Sequence, residues 1–249
     1  MFLPQQRKKL VLIGDSITQQ SFSVEHRGWG AALADYYHRT ADVVNRGYSG
    51  YNSRWIRAIV DKGILSSSDI SFIQTVSLVT LFLGANDAVH ATADQHVSVA
   101  EYKENLIAII QYIRGINENI VIVIITPPAV NSEHWPTRST EQVAPYAATV
   151  RELAAEYNLG LVDLHSNDDG NKKIGLSDLR DGLHLNEYGN SKVFEALKSL
   201  IRRRYPALCP DDNSDGKPNI PLHYPHFSEL TSKDSEAAIL HLASWKWSQ

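Results

Sequence analysis

The sequence predicts a three-layer α/β/α sandwich around a five-stranded parallel sheet. Two observations carry that expectation. Five short apolar runs alternate with stretches of helical periodicity, the pattern of repeated β-α units. The fourth run, Ile120–Ile125, is wholly β-branched, as in a strand covered on both faces by helices. Right-handed crossovers then put helices on both sides of the sheet, and 2-1-3-4-5 is the common order for five such strands.

The first strand is Leu10–Ile13, closed by the tight turn Gly14-Asp15-Ser16. Ser16 therefore stands just beyond the strand's C-terminal end. Gly30–Tyr37 favours helix through Ala31, Ala32, Leu33 and Ala34. Asp42–Asn45 is the second strand, followed by a glycine-bearing turn from Arg46 to Asn52. Ser53–Ile64 is helical, with Trp55, Ile56, Ile59 and Val60 on one side. Val76–Leu83 is the third strand and ends in Gly84-Ala85-Asn86-Asp87.

Ser98 and Glu101 form a capping-box pattern that opens a long helix. Its Tyr102, Leu106, Ile109, Ile110 and Ile113 share one face. Ile120–Ile125 stops at Thr126-Pro127-Pro128, because proline cannot extend a ladder. Ser139 and Gln142 open another helix that runs to Asn158, and Leu159–Asp163 is the fifth strand. A polar loop, Ser166–Lys173, leads to Asp181-Gly182-Leu183-His184-Leu185-Asn186. The last helix, Glu187–Tyr205, turns Val193, Leu197, Leu200 and Ile201 inward. Arg202–Arg204 in its final turn complement the helix dipole, so they read as a solvated cap.

Residues 1–208 thus make one domain. From Cys209 the composition turns polar and turn-rich. In the tail, 209–249, Trp245 and Trp247 suggest docking on the same body. His223 and His226 read as surface residues.

A formal charge of −4 argues against nucleic acid or an anionic membrane as the main partner. The single cysteine excludes an internal disulfide. No apolar segment precedes the first strand and no run reaches transmembrane length, so a soluble cytoplasmic protein is expected. Oligomeric state, a homodimer included, stays open.

In a parallel sheet every strand's C-terminal end lies on one edge. The residues that follow the strands there include Ser16, then Ser49, Gly50 and Asn52, then Asn86 and Asp87, then Asn131, Glu133, His134 and Trp135, then Asp181 and His184. Together they suit acyl transfer. A serine hydroxyl needs a base, the base needs an orienting carboxylate, and the developing oxyanion needs preset donors worth roughly 3–4 kcal/mol each. Ser16 can be the nucleophile, His184 the base and Asp181 its partner three residues earlier. The N–H groups of Ser16 and Gly50, with the Asn86 amide, can form the oxyanion hole. Gly50 suits a donor that substrate approaches closely. Asp15 and Asp87 read as turn and loop braces. Trp55 and Trp135 either line a substrate pocket or pack in the core. No further ligands accompany Asp181 and His184, so no metal or other cofactor is expected. Ser49 lies in Gly-Tyr-Ser-Gly, which falls short of the Gly-x-Ser-x-Gly elbow.

Gly14-Asp15-Ser16, the Gly50 turn, Gly84-x-Asn86-Asp87 and Asp181-x-x-His184 stand in the order of the four blocks of the GDSL, or SGNH, hydrolases. The resemblance covers about residues 10–205. It implies a flavodoxin-like fold and serine-dependent ester hydrolysis, with Ser16, Gly50, Asn86 and His184 as the family's named residues and Asp181 completing the triad. The stretches Asn45–Trp55 and Asp181–Asn186 resemble the isoamyl acetate-hydrolysing esterase group, which implies small short-acyl esters as substrates. Alternatives are a lysophospholipase, thioesterase or sugar O-acetylesterase with the same machinery, an acyltransferase, and a non-catalytic binding protein on the same fold.

Overall fold

A computed structural model describes residues 7–60, 62, 75–165 and 173–210. It contains one sheet of five parallel strands: β1 (Lys8–Gly14), β2 (Ala41–Gly47), β3 (Val76–Phe82), β4 (Val121–Ile125) and β5 (Gly160–Val162). Their order is β2-β1-β3-β4-β5, as the alternation of apolar runs and helices predicted. Register aligns the strand ends. Gly14 lies beside both Gly47 and Phe82, Phe82 beside Ile125, and Ile125 beside Val162. The loops that leave these five residues therefore start from one line across the molecule.

Helices cover both faces. α2 (Trp29–Tyr36) and α6 (Glu187–Arg204) pack together on one side. α3 (Ser53–Val60), α4 (Val99–Ile116) and α5 (Thr140–Glu156) form a row on the other. Between the layers Leu10, Val11, Leu12 and Ile13 of β1 are sealed from solvent, as a strand flanked on both edges and both faces must be. The apolar stripe of α4 is buried throughout, and the Ser98 hydroxyl accepts from Glu101 N at 3.3 Å as its N-cap. Ser139 caps α5 in the same way, accepting from Gln142 N at 3.2 Å.

Several elements differ from the sequence expectation: β1 begins at Lys8 rather than Leu10, and β5 is shorter than Leu159–Asp163. β2 runs from Ala41 to Gly47, longer than Asp42–Asn45. It is the sheet's edge, where half-exposed polar residues such as Asn45 and Arg46 cost little, so its apolar core understates its length. A four-residue helix, α1 (Ser16–Gln19), follows β1 directly. The Asp15 carboxylate caps it by accepting from Ile17 N at 2.9 Å. Gly14 permits the tight exit, since a Cβ there would fall 2.1 Å from Thr18 Oγ1 and 2.6 Å from the Phe82 carbonyl.

At the end of α6, Arg204 does more than face solvent. It donates to the carbonyls of Asn158 and Leu159 and so ties the helix to the start of β5. Cys209, where the composition changes, is buried beside the Tyr36 hydroxyl. The proposed extension of the Ser53 helix to Ile64, the loop 166–172 and the tail with Trp245 and Trp247 lie outside the described residues.

Candidate active site

Ser16 opens α1 at the mouth of β1 and is buried apart from its outward edge. Its hydroxyl lies 2.9 Å from His184 Nε2. The other imidazole nitrogen, Nδ1, lies 2.7 Å from Asp181 Oδ2. Asp181 Oδ1 accepts from the backbone N–H groups of His184 at 2.8 Å and Leu183 at 3.1 Å. Burial opposes the charge on Asp181, but these N–H groups and the imidazole outweigh it and hold its pKa below the usual carboxylate range. An ionised carboxylate only accepts hydrogen bonds. Nδ1 must therefore donate to it, and in neutral His184 this leaves Nε2 free to accept the Ser16 proton.

The loop carrying Asp181 and His184 is pinned from several directions. Arg180 N donates to the His184 carbonyl at 2.9 Å and closes the turn. Asn186 caps α6, accepting from Tyr188 N and Gly189 N. The loop after β4 grips the turn from the other side: Asn131 N donates to the Gly182 carbonyl at 2.8 Å, and Trp135 Nε1 to the Asp181 carbonyl at 2.9 Å. The Trp135 ring stands edge-on to His184 with centroids 6.5 Å apart. Of the two pocket candidates, Trp135 thus braces this turn, while Trp55 lies on α3 edge-on to Tyr51 and keeps an exposed face.

The Gly50 turn follows β2. Gly50 has φ +78°, a backbone conformation that favours glycine. The turn is tied to the segment that carries Ser16: Tyr48 N donates to the Gly14 carbonyl at 2.9 Å, and Ser49 N to Gln19 Oε1 at 2.7 Å. Asn86 follows β3 and is buried. One N–H of its amide donates to the Tyr51 carbonyl at 2.8 Å; its second N–H has no partner among the described residues. Asp87, beneath, accepts from Ser53 N at 2.9 Å and so holds the start of α3, the bracing role its loop position suggested.

Sequence reasoning missed two residues here, Arg138 and Gln95. Arg138 is buried, with 6% of the residue exposed. Nη1 donates to the Ala85 carbonyl, and Nη2 lies 3.0 Å from Asn86 Oδ1 and 3.1 Å from Gln95 Oε1. Gln95 Nε2 in turn donates to the Gly50 carbonyl at 2.7 Å. One signal in the sequence points to Arg138: a cation directly before the N-cap of a helix opposes the dipole and needs partners elsewhere.

Two carboxylates are buried at this edge. Burial raises Asp15 to about 7 and Asp87 to about 6, with hydrogen bonds from Ile17 and Ser53 working against the shift. Among the described residues no group of three or more His, Cys, Asp or Glu side chains could hold a metal, and no helix is long and apolar enough to cross a membrane.

The model of the GDSL-like lipase/acylhydrolase family matches residues 12–192. A GDSL esterase/lipase of Arabidopsis thaliana is 36% identical, over 93% of this chain and 97% of its own length. The isoamyl acetate-hydrolyzing esterase 1 homolog of Homo sapiens is 35% identical, over 86% of this chain and 91% of its own. Among solved structures, a lipase/acylhydrolase from Enterococcus faecalis superposes with a TM-score of 0.61 at 26% identity, covering 79% of this chain and 96% of that one. The acetylxylan esterase Axe2 of Geobacillus stearothermophilus gives 0.60 at 24% identity, covering 78% and 94%, and speaks to the fold alone.

Proposed function

Since the chain belongs to the GDSL-like lipase/acylhydrolase family and is a serine esterase of the GDSL type, we propose that it hydrolyses small short-acyl, acetate-type esters through Ser16, His184 and Asp181. The observation that supports this reading most is the unbroken chain of two short contacts, Asp181 Oδ2 to His184 Nδ1 at 2.7 Å and His184 Nε2 to Ser16 Oγ at 2.9 Å. The substrate class follows relatives named for hydrolysing isoamyl acetate.

In the proposed mechanism Ser16 Oγ attacks the ester carbonyl carbon and its proton passes to His184 Nε2. The carbonyl electron pair moves onto oxygen, where the N–H groups of Ser16 and Gly50 and the free N–H of Asn86 receive it. The intermediate collapses, the C–O bond to the alcohol breaks, and His184 returns the proton to the departing oxygen. Water then attacks the acyl-serine, again giving its proton to His184. Collapse releases the acid and restores Ser16. Asp181 keeps the imidazole in the productive tautomer and stabilises its charged form at each step.

Hydrolysis of p-nitrophenyl esters from acetate to palmitate, with Ser16→Ala beside the wild type, tests the reading. We expect acetate to be the best substrate and Ser16→Ala to lose at least about 10³-fold in kcat while still folding. A long-chain preference would move the substrate to lipids and keep the mechanism. Activity that survives in Ser16→Ala would remove Ser16 as nucleophile.

A further inference from the structure

We propose that Arg138 is a positioning residue for the oxyanion hole, holding Asn86 directly and Gly50 through Gln95. The inference rests on the Ser16 mechanism above and names a residue outside the four motif blocks.

A primary amide offers an acceptor edge and a donor edge. Arg138 Nη2 takes the acceptor edge of Asn86 at 3.0 Å, which fixes which way its donor edge faces. The Tyr51 carbonyl takes one of the two N–H groups at 2.8 Å, so the direction of the second is set by the first two bonds. The same Nη2 lies 3.1 Å from Gln95 Oε1, and Gln95 Nε2 holds the Gly50 carbonyl at 2.7 Å. One guanidinium thus joins two of the three donors that would face the oxyanion. Its own place is fixed by the Ala85 carbonyl at Nη1 and by the Trp135 ring, which lies 5.6 Å below the guanidinium carbon. Trp135 also holds the Asp181 carbonyl, so the two halves of the site share one support.

The planar fork suits this task because it reaches three acceptors at fixed angles. Lysine's three donors radiate from one rotatable nitrogen and lack the fixed plane that lets Nη1 serve the Ala85 carbonyl while Nη2 serves Asn86 and Gln95. Burying the guanidinium has a cost, and the carboxylates of Asp15 and Asp87 act on it electrostatically in the same buried edge. A merely structural Arg needs neither a bond to Asn86 nor a relay through Gln95 to the Gly50 carbonyl.

The test is a double-mutant cycle on p-nitrophenyl acetate with purified full-length enzyme. Arg138→Met should lower kcat and kcat/KM roughly 10–100-fold, part of what losing an oxyanion donor outright costs, with KM nearly unchanged. In an Asn86→Ala background the same replacement should cost severalfold less than in the wild type, because part of its target is gone. Losses that simply multiply would overturn the proposal, as would a folded Arg138→Met with wild-type kcat. If Arg138→Met does not fold, Gln95→Met takes its place: it severs the link to Gly50 alone and should lower kcat severalfold at unchanged KM, and unchanged kcat would overturn that arm. Ser16→Ala in the same series separates the two readings. If it stays active, the serine mechanism fails; if it is dead and the cycle is multiplicative, only the role of Arg138 fails.

Discussion

The indole of Trp135 donates from Nε1 to the backbone carbonyl of Asp181 at 2.9 Å, while the edge of the same ring meets His184. A loop that leaves β4 thereby holds a turn that lies 46 residues further along the chain. Trp135→Phe keeps the ring and removes the donor. Stability should fall by about 1 kcal/mol, the net worth of one hydrogen bond. kcat should fall severalfold as the turn loosens. Urea unfolding and ester hydrolysis on the same preparation check both, and unchanged kcat would mean that the turn is held without this bond.

Asp181→Asn tests the orienting carboxylate. The asparagine Oδ1 can still accept from the N–H groups of Leu183 and His184, so the turn should survive. Its Nδ2 donates where the carboxylate accepted, which favours the tautomer with the proton on Nε2. On the proposed mechanism kcat falls by up to about 10⁴-fold, with little change in melting temperature. Steady-state kinetics beside thermal unfolding would show it.

Gly50→Ala should injure by conformation rather than by collision. The nearest atom to an added Cβ is Gln95 Nε2 at 3.5 Å, an ordinary contact. A side chain at φ +78° costs roughly 1–2 kcal/mol. If the turn holds its shape, that appears as lost stability. If it relaxes, the Gly50 N–H moves and kcat/KM falls about tenfold or more. An alanine variant with both quantities unchanged would remove Gly50 from the proposed hole.

Asp15 makes a prediction about pH. Burial lifts its pKa from 3.8 to about 7 in the folded chain. Between those values the folded state keeps a proton that the unfolded chain has already lost. The stability this group contributes is full below the lower value and is lost as pH rises through the higher one. Asp15→Asn can still accept from Ile17 N and has no proton to lose. Its stability relative to wild type should therefore improve by at least about 1 kcal/mol from pH about 4 to pH about 8. Denaturant midpoints across that range measure it, and a flat difference would show that Asp15 is ionised throughout.

Most of the frame was legible because local signals set it. β-branched runs, the hydroxyl caps at Ser98 and Ser139, and the prolines after β4 each act within a few residues. Asp181 and His184 were legible as a pair for the same reason, since three residues of separation already suit one turn. Arg138 and Gln95 were not, because their partners lie 52 and 45 residues away and no local spacing encodes them. β2 was under-read because an edge strand tolerates polar residues that an apolar pattern discounts. Trp135 was noticed as an aromatic beside the sheet edge, but its bond to the Asp181 carbonyl depends on tertiary packing.

Ser16 and His184 meet across 168 residues of chain. On a ribosome, Ser16, the proposed nucleophile, emerges while β1 still lacks β3 as a neighbour, and His184, the proposed base, follows only after all five strands have been made. On the proposed mechanism a nascent chain therefore carries Ser16 without its base for most of its synthesis. In a timed translation reaction, ester turnover would report chains that have reached α6 and closed the sheet, and partly made polypeptide would contribute nothing to it.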